Sequence, residues 1–383
     1  NLKIPQNQEE LLAEIAETVG KDHIAAISFG GAPMDFSFEK NVGAILHMYL
    51  GGQAVGESVG DLISGEVNPS GKLAETIPFS EKDTPAWRYF APPNDDVEYR
   101  ESIFVGYRYY ETFHVPVKYP FGYGLSYTSF SYSELNVPEA YSGGKIQIRF
   151  KIKNIGKVSG AEIAQLYICP IESDVIRSHI ELKEFQKIYL HPREEKEVIL
   201  ELDERSFSVY DVEKKAFSML SGKYQICIGA SVHDLQLKAN MEVVGNSYFR
   251  NERELFPDYF REQPHGMEIS AEQFYQLLGG EPKHDKEKKR GEYTVYDSYQ
   301  DVVNVSMFGK FVRGVVHIGL KIILRGKSER DPAFKMVKMG VEEGNLEGLI
   351  ATSGGIATPK LIDMLVYNAN KKYLQAVKRL LKK

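Results

Sequence analysis

The sequence predicts a multidomain protein of mixed α/β and all-β class, with a mainly helical extension behind it. Three observations carry this. Apolar runs ended by paired glycines alternate with amphipathic helical spacing over residues 1–128, which is the layered α/β signature. Short strands that alternate apolar with polar residues fill 129–245. Helical spacing without strand signals marks 246–383. A chain of 383 residues has room for two or three cores, and 43% hydrophobic with 26% charged residues is ordinary for a globular protein. The net charge of -6 argues against a nucleic-acid surface, and no basic stretch is interleaved with stacking aromatics.

In the first part, Leu11, Leu12, Ile15, Ala16 and Val19 fall at helical spacing and Gly20 stops the helix. His23 to Phe29 and Val42 to Leu50 are apolar runs ended by Gly30-Gly31 and Gly51-Gly52, as in buried parallel strands. Gln53 to Ser64 then reads as a second helix. Open α/β sheets hold ligands beyond the carboxyl ends of their strands, which makes Asp35 and Gln53 the candidate substrate-binding residues here. Asp35 reads either as a ligand contact or as a solvated loop residue. The glycines before Gln53 either cradle an anion with backbone N–H groups or let strand and helix pack closely. Asp83 to Asp96 is a proline-rich surface excursion carrying the single tryptophan, Trp87, which either lines a substrate subsite with its aromatic face or anchors its own loop.

Tyr99 to Phe130 is crowded with aromatics and glycines, seven of its residues being tyrosines. Ile103-Phe104-Val105 and Tyr107 to Tyr110 read as extended, buried chain, and Pro120 to Gly124 as tight turns, so the stretch predicts a seam between two domains. Arg108 lies between Glu101 and Glu111, and an ion pair bracing the seam is expected. Evenly spaced short strands follow at Lys145–Lys153, Glu162–Cys169, Leu182–Leu190, Val198–Leu202, Gly222–Ile228 and Leu235–Val243, the pattern of an antiparallel sandwich. The two cysteines, Cys169 and Cys227, fall in these strands; buried free thiols are expected, with a disulfide as the alternative and a cytoplasmic setting as the default. In the tail, Glu281 to Gly291 reads as a solvated linker whose lone His284 makes no metal site. Ser306–Arg325 reads as a basic amphipathic helix, too interrupted by charge to span a bilayer and expected to dock on its own protein, with lying on a membrane surface as the alternative. Pro332–Gly340, Leu346–Ala351, Pro359–Asn368 and Asn370–Leu381 continue as helices, with Thr358-Pro359 as a capped start.

The run from Val105 to Glu111, VGYRYYE, followed by YPFGYGLSYTSF from Tyr119 to Phe130, resembles the junction between the α/β sandwich and the fibronectin type III-like domain of glycoside hydrolase family 3, the β-glucosidase group. Tyr49-Leu50-Gly51-Gly52-Gln53 and Asn68 to Phe79 agree with it in the right order. The resemblance covers roughly residues 1–245 and implies an N-terminally truncated α/β sandwich domain at 1–128, a fibronectin type III-like sandwich at 129–245 and an unassigned helical extension at 246–383, of a kind that some bacterial members carry. It also implies a retaining hydrolase of terminal non-reducing sugars, without a cofactor or metal.

Retaining hydrolysis needs two carboxyl groups about 5–5.5 Å apart. In the resembled family the nucleophilic aspartate lies in an N-terminal barrel, and the acid/base glutamate of many members lies ahead of a segment resembling Asn1 to Leu12. No catalytic residue is therefore expected in this chain. The 138 residues after Gly245 are too few for a permuted barrel of about 250. Ser173-Asp174, the only Ser-Asp pair, sits in the sandwich, and Glu57 and Asp61 lie four apart on one helix face, where they do not converge. The expectation is a C-terminal part of a β-glucosidase-type enzyme, contributing scaffold and one wall of the site and inactive alone. Its partners would be a glycoside bound through the barrel and the barrel itself or a second copy, with no nucleic acid and no membrane. A stand-alone carbohydrate- or protein-binding module is the alternative.

Overall fold

Helical spacing near the amino terminus produces α1 (Gln6–Val19), stopped by Gly20 at φ +83°. The two apolar runs form β1 (Ala25–Ser28) and β2 (Ala44–His47), paired in parallel with Ala25 opposite Ala44 and Ser28 opposite His47. Helix α2 (Val55–Ser64) follows, closed by Gly65 in the left-handed region. Phe36, Phe38, Val42 and Ile77 form the small core beneath these elements. Parallel strands ordinarily lie covered on both faces. Here no residue of α1, β1, β2 or α2 is fully buried, and Leu11, Val19, Phe29, Leu50 and Ile63 stand exposed. The computed structural model describes residues 2–90, 97–245, 251–281, 288–324, 331–353 and 355–381. Part of the Asp83–Asp96 excursion and most of the charge-rich linker, including His284, lie outside them.

The seam departs from the extended chain that its aromatic content predicts. Strand β3 (Ile77–Pro78) pairs antiparallel with β4 (Val117–Tyr119), but between them Gly106 at φ +55° turns the chain into helix α3 (Tyr107–Thr112). Tyr109 and Tyr110 are buried from this helix, with Phe104 and Val115, against Phe256, Tyr259, Met267, Ile269 and Phe274. Tertiary packing of large aromatic side chains overrides their strand preference. The same packing moves a boundary. Residues 251–281, which include α4 (Glu252–Leu255) and α5 (Ala271–Leu278), pack on the seam, so the first unit runs Asn1–Pro282 and does not stop at 245.

The sandwich contains β5 (Phe130–Asn136), β6 (Ala140–Tyr141), β7 (Ile146–Asn154), β8 (Gly160–Pro170), β9 (Glu181–Leu190), β10 (Glu195–Leu202), β11 (Ser208–Asp211), β12 (Ala216–Met219), β13 (Gly222–Gly229) and β14 (Leu235–Val243). One sheet runs β10-β7-β5 and the other β6-β14-β13-β8-β9, while β11 and β12 form a hairpin apart. Alternation does what the period demands: Val198, Leu200 and Leu202 of β10 point inward to meet Ile148, Phe150 and Ile152 of β7. Cys169 and Cys227 are buried free thiols whose Sγ atoms lie 3.8 Å apart.

Residues 283–383 form a second, helical unit: α6 (Tyr299–Asn304), α7 (Met307–Ile323), α8 (Pro332–Glu342), α9 (Leu346–Thr352), α10 (Pro359–Ala369) and α11 (Tyr373–Leu381). Tyr299, Val302, Val303, Val312, Leu346, Leu349, Ile362 and Leu365 make its core. Thr358 Oγ1 accepts the Leu361 N–H at 3.3 Å and Pro359 takes the first helical position, the start its sequence encodes. Helix α7 meets the expectation of docking on one face only. Val312 and Leu320 are buried, whereas Met307, Phe311, Val315, Ile318 and Ile322 are exposed.

Candidate functional site

The carboxyl ends of β1 and β2 are held side by side. Gly30 donates its N–H to Tyr49 O at 3.2 Å and Met48 to Ser28 O at 2.9 Å. Ser28 Oγ lies 2.9 Å from His47 Nδ1, and the imidazole packs edge-on against Phe36 and Tyr49, with ring centroids 5.5 and 4.2 Å away. Burial pushes the His47 pKa below its ordinary value, which favours the neutral ring at physiological pH. Tyr49 sits at φ +48°, uncommon for a non-glycine residue, and its hydroxyl accepts the Ala74 N–H at 3.2 Å. Beside it, burial raises the carboxyl pKa of Glu75. His47 Nε2, Glu75 Oε1 and Thr76 Oγ1 are buried with no hydrogen-bond partner among the described residues. Buried polar atoms without partners are rare enough to need a reason.

Of the three candidates read from the sequence, Asp35 and Gln53 follow β1 and β2 in the chain. Asp35 Oδ1 accepts the Ser37 N–H at 2.8 Å and starts a short 3-10 turn, while the Asp35 N–H donates to Leu2 O at 2.7 Å. Gln53 is exposed just ahead of α2 and caps nothing; Ala54 holds the N-cap position without a side-chain bond. Of the glycines before it, Gly51 serves packing, because a Cβ there would stand 2.4 Å from Val55 Cγ2, whereas Gly52 serves the turn, with φ +72° and nothing within 4 Å of a Cβ. Trp87 is 41% exposed in a loop tied to the segment after the sandwich. Tyr89 bridges Ile269 through its hydroxyl, donating to the carbonyl at 2.8 Å and accepting from the N–H at 2.9 Å, and Met267 N–H reaches Pro85 O at 3.0 Å. His47, Tyr49 and Glu75 were not among these candidates. A lone histidine closing an apolar strand was the available signal for the first, but nothing local announces the backbone of Tyr49.

The run Asn68–Leu73 does structural work. Asn68 Oδ1 accepts from Ser126 Oγ at 3.0 Å and Tyr127 N–H at 2.8 Å, and its Nδ2 donates to Ser159 O at 3.0 Å, joining the α/β part to the sandwich. Lys72 forms a 2.9 Å ion pair with Glu162 and donates to Gly124 O at 3.1 Å. A Cβ on Gly124 would lie 2.4 Å from Gly71 O and one on Gly160 2.5 Å from Asn68 Nδ2, so glycine is what permits this approach. The expected brace around Arg108 is absent among the described residues. Glu111 bonds His233 at 2.8 Å instead, and Glu101 is buried with Oε2 unpartnered. The helix that replaces the expected strand redirects these side chains. Asp174 of the Ser-Asp decoy pairs with Arg253 at 3.3 Å.

Two clefts lie elsewhere in the first unit. One, of about 1380 Å³, opens at an end of the sandwich between Phe104, His114, Arg177, His179, Tyr224 and Arg253. The other, of about 840 Å³, follows the Asn68 joint past Tyr127 and Tyr189. Neither is lined by Asp35, Gln53 or Trp87. Among the described residues no group of three or more His, Cys, Asp and Glu is placed to hold a metal ion.

Comparison with known proteins agrees with this architecture. Residues 1–127 match the Glycosyl hydrolase family 3 C-terminal domain and residues 162–232 the Fibronectin type III-like domain. Thermostable beta-glucosidase B of Acetivibrio thermocellus is 42% identical over 245 residues, which are 63% of this chain and 32% of the relative. An exo-alpha-(1->6)-L-arabinopyranosidase of Bifidobacterium breve is 34% identical over 245 residues, 64% of this chain and 32% of the relative. The crystal structure of a Bifidobacterium adolescentis GH3 beta-glucosidase superposes with a TM-score of 0.62 at 34% identity, over 65% of this chain and 36% of that one. The chain thus spans about a third of the length of the curated relatives it matches. Yeast relatives stand beside the bacterial ones, so the similarity does not single out a bacterial source.

Proposed function

We infer that this chain, which belongs to glycosyl hydrolase family 3 through its C-terminal domain at 1–127 and its fibronectin type III-like domain at 162–232, supplies the scaffold and one wall of a β-glucosidase-type active site. The observation that carries the reading is the uncovered α/β half. A parallel strand pair and both of its helices bury no residue completely, and His47 and Glu75 keep unpartnered buried atoms at the ligand-binding edge. Such an edge is completed by further chain of the kind the relatives carry over the rest of their length. The reactive carboxyl pair lies on that further chain, and terminal non-reducing sugars are cleaved there with retention.

Asp35, Gln53 and Trp87 are proposed as rim contacts to the glycoside. Sugar choice rests elsewhere: relatives named for beta-glucosidase and for arabinopyranosidase activity share this same region at similar identity. The test uses p-nitrophenyl β-glucoside. The chain alone gives no turnover above buffer, and co-expression with the portion of the Acetivibrio thermocellus relative that it does not match gives activity. Hydrolysis by the pure chain that Glu101→Gln abolishes overturns the reading. So does failure of the combination when the relative's own matching portion restores activity.

A further inference from the structure

Charge is divided unequally between the two units. Residues 283–383 hold 20 Lys and Arg against 11 Asp and Glu, and residues 1–282 hold 27 against 42, so the net -6 of the chain separates into +9 and -15. The basic excess coincides with exposed apolar stripes. Along α7, Met307, Phe311, Val315, Ile318 and Ile322 follow one another at spacings of four, four, three and four residues, and are 90%, 68%, 53%, 61% and 67% exposed. These steps place them on one face of a helix about 25 Å long. The helix contains Lys310, Arg313 and Lys321 and not one acidic residue. On α11, Tyr373, Leu374, Val377, Leu380 and Leu381 are likewise exposed beside Lys371, Lys372 and Lys378, and Met336 and Met339 of α8 beside Lys335 and Lys338.

We propose that the helical unit at 283–383 is a peripheral membrane-binding module, with the outer stripe of α7 lying in the plane of an anionic lipid surface. A helix with one face anchored in its own core and the other both apolar and flanked by cations has the features of an interfacial helix. No described helix is long and apolar enough to cross a membrane, so the contact is in-plane. Charge decides the occupant. An isologous contact with a second copy would set Lys310 and Arg313 against cations of the same kind, whereas anionic headgroups attract each Lys and Arg near the surface. An acidic protein groove is the competing partner, and the test separates it.

Co-sedimentation of the full chain with phosphatidylcholine vesicles, with and without phosphatidylserine, tests the proposal. Expected is pelleting with phosphatidylserine vesicles that weakens by at least about tenfold as salt is raised or when phosphatidylserine is omitted. The surface variant Phe311→Asp/Ile318→Asp should abolish it while leaving the circular-dichroism melt unchanged, and Lys310→Glu/Lys378→Glu should weaken it by about tenfold or more. Three results overturn the proposal: the chain remaining in the supernatant with phosphatidylserine vesicles, undiminished pelleting of the Phe311→Asp/Ile318→Asp variant, or a vesicle-free self-association that this variant removes.

Discussion

Replacing Lys72 by methionine probes the joint on which the first unit depends. The Lys72–Glu162 pair is 2.9 Å long and both side chains are nearly enclosed, 12% and 7% exposed. Taking away one member of a buried pair leaves an uncompensated charge and costs about 3–5 kcal/mol. Two features pull toward the lower end of that range: the carboxylate keeps the Ile163 N–H at 2.9 Å, and some water reaches the lysine. Losing the bond to Gly124 O adds about 1 kcal/mol. An overall loss of about 4 kcal/mol corresponds to a fall in Tm of about 8–16 °C for a unit of this size, read by circular dichroism or urea unfolding. The double variant Lys72→Met/Glu162→Gln removes the stranded charge and should regain most of the loss. A single variant within about 0.5 kcal/mol of the parent, or a double variant no better than the single one, would refute the reasoning.

Glu101→Gln should stabilise the fold at neutral pH, because burial raises the folded carboxyl pKa above its ordinary 4.5 and ionisation therefore opposes folding. In the window above that value stability declines as pH rises; the advantage of the variant should vanish below about pH 4, and a variant less stable than the parent at pH 7 would contradict the assignment. Gly124→Ala should cost about 1–3 kcal/mol, since its Cβ would meet a backbone carbonyl at 2.4 Å, and an unchanged urea midpoint would count against the close approach. Cys169 and Cys227 should resist a thiol reagent until denaturant is added; rapid labelling of the native chain would show that β8 and β13 open.

Wherever a feature depended on residues adjacent in the chain, it was legible without coordinates. Strands β7, β10 and β14 follow period-two alternation, and α1, α7 and α10 follow helical spacing with Gly20, Ser306 and Thr358 at their ends. The motifs around Asn68–Leu73 and Pro120–Phe130 were recognisable as text, but their task was not: they join two domains through Asn68, Lys72 and glycines that let backbone meet backbone.

Tertiary structure alone decided the rest, because it turned on partners distant in sequence. The aromatic seam became helix α3 once Phe256, Tyr259 and Phe274 supplied a surface for Tyr109 and Tyr110, and Glu111 left Arg108 for His233. Of the candidate site, the loops after β1 and β2 were foreseen, yet the unpartnered atoms His47 Nε2 and Glu75 Oε1 became visible only through burial. Exposure likewise separated the two faces of α7, both of which carry apolar residues in the sequence. Local composition and spacing encode secondary structure; which apolar faces are covered and which charges find partners is a property of contacts between segments far apart along the chain.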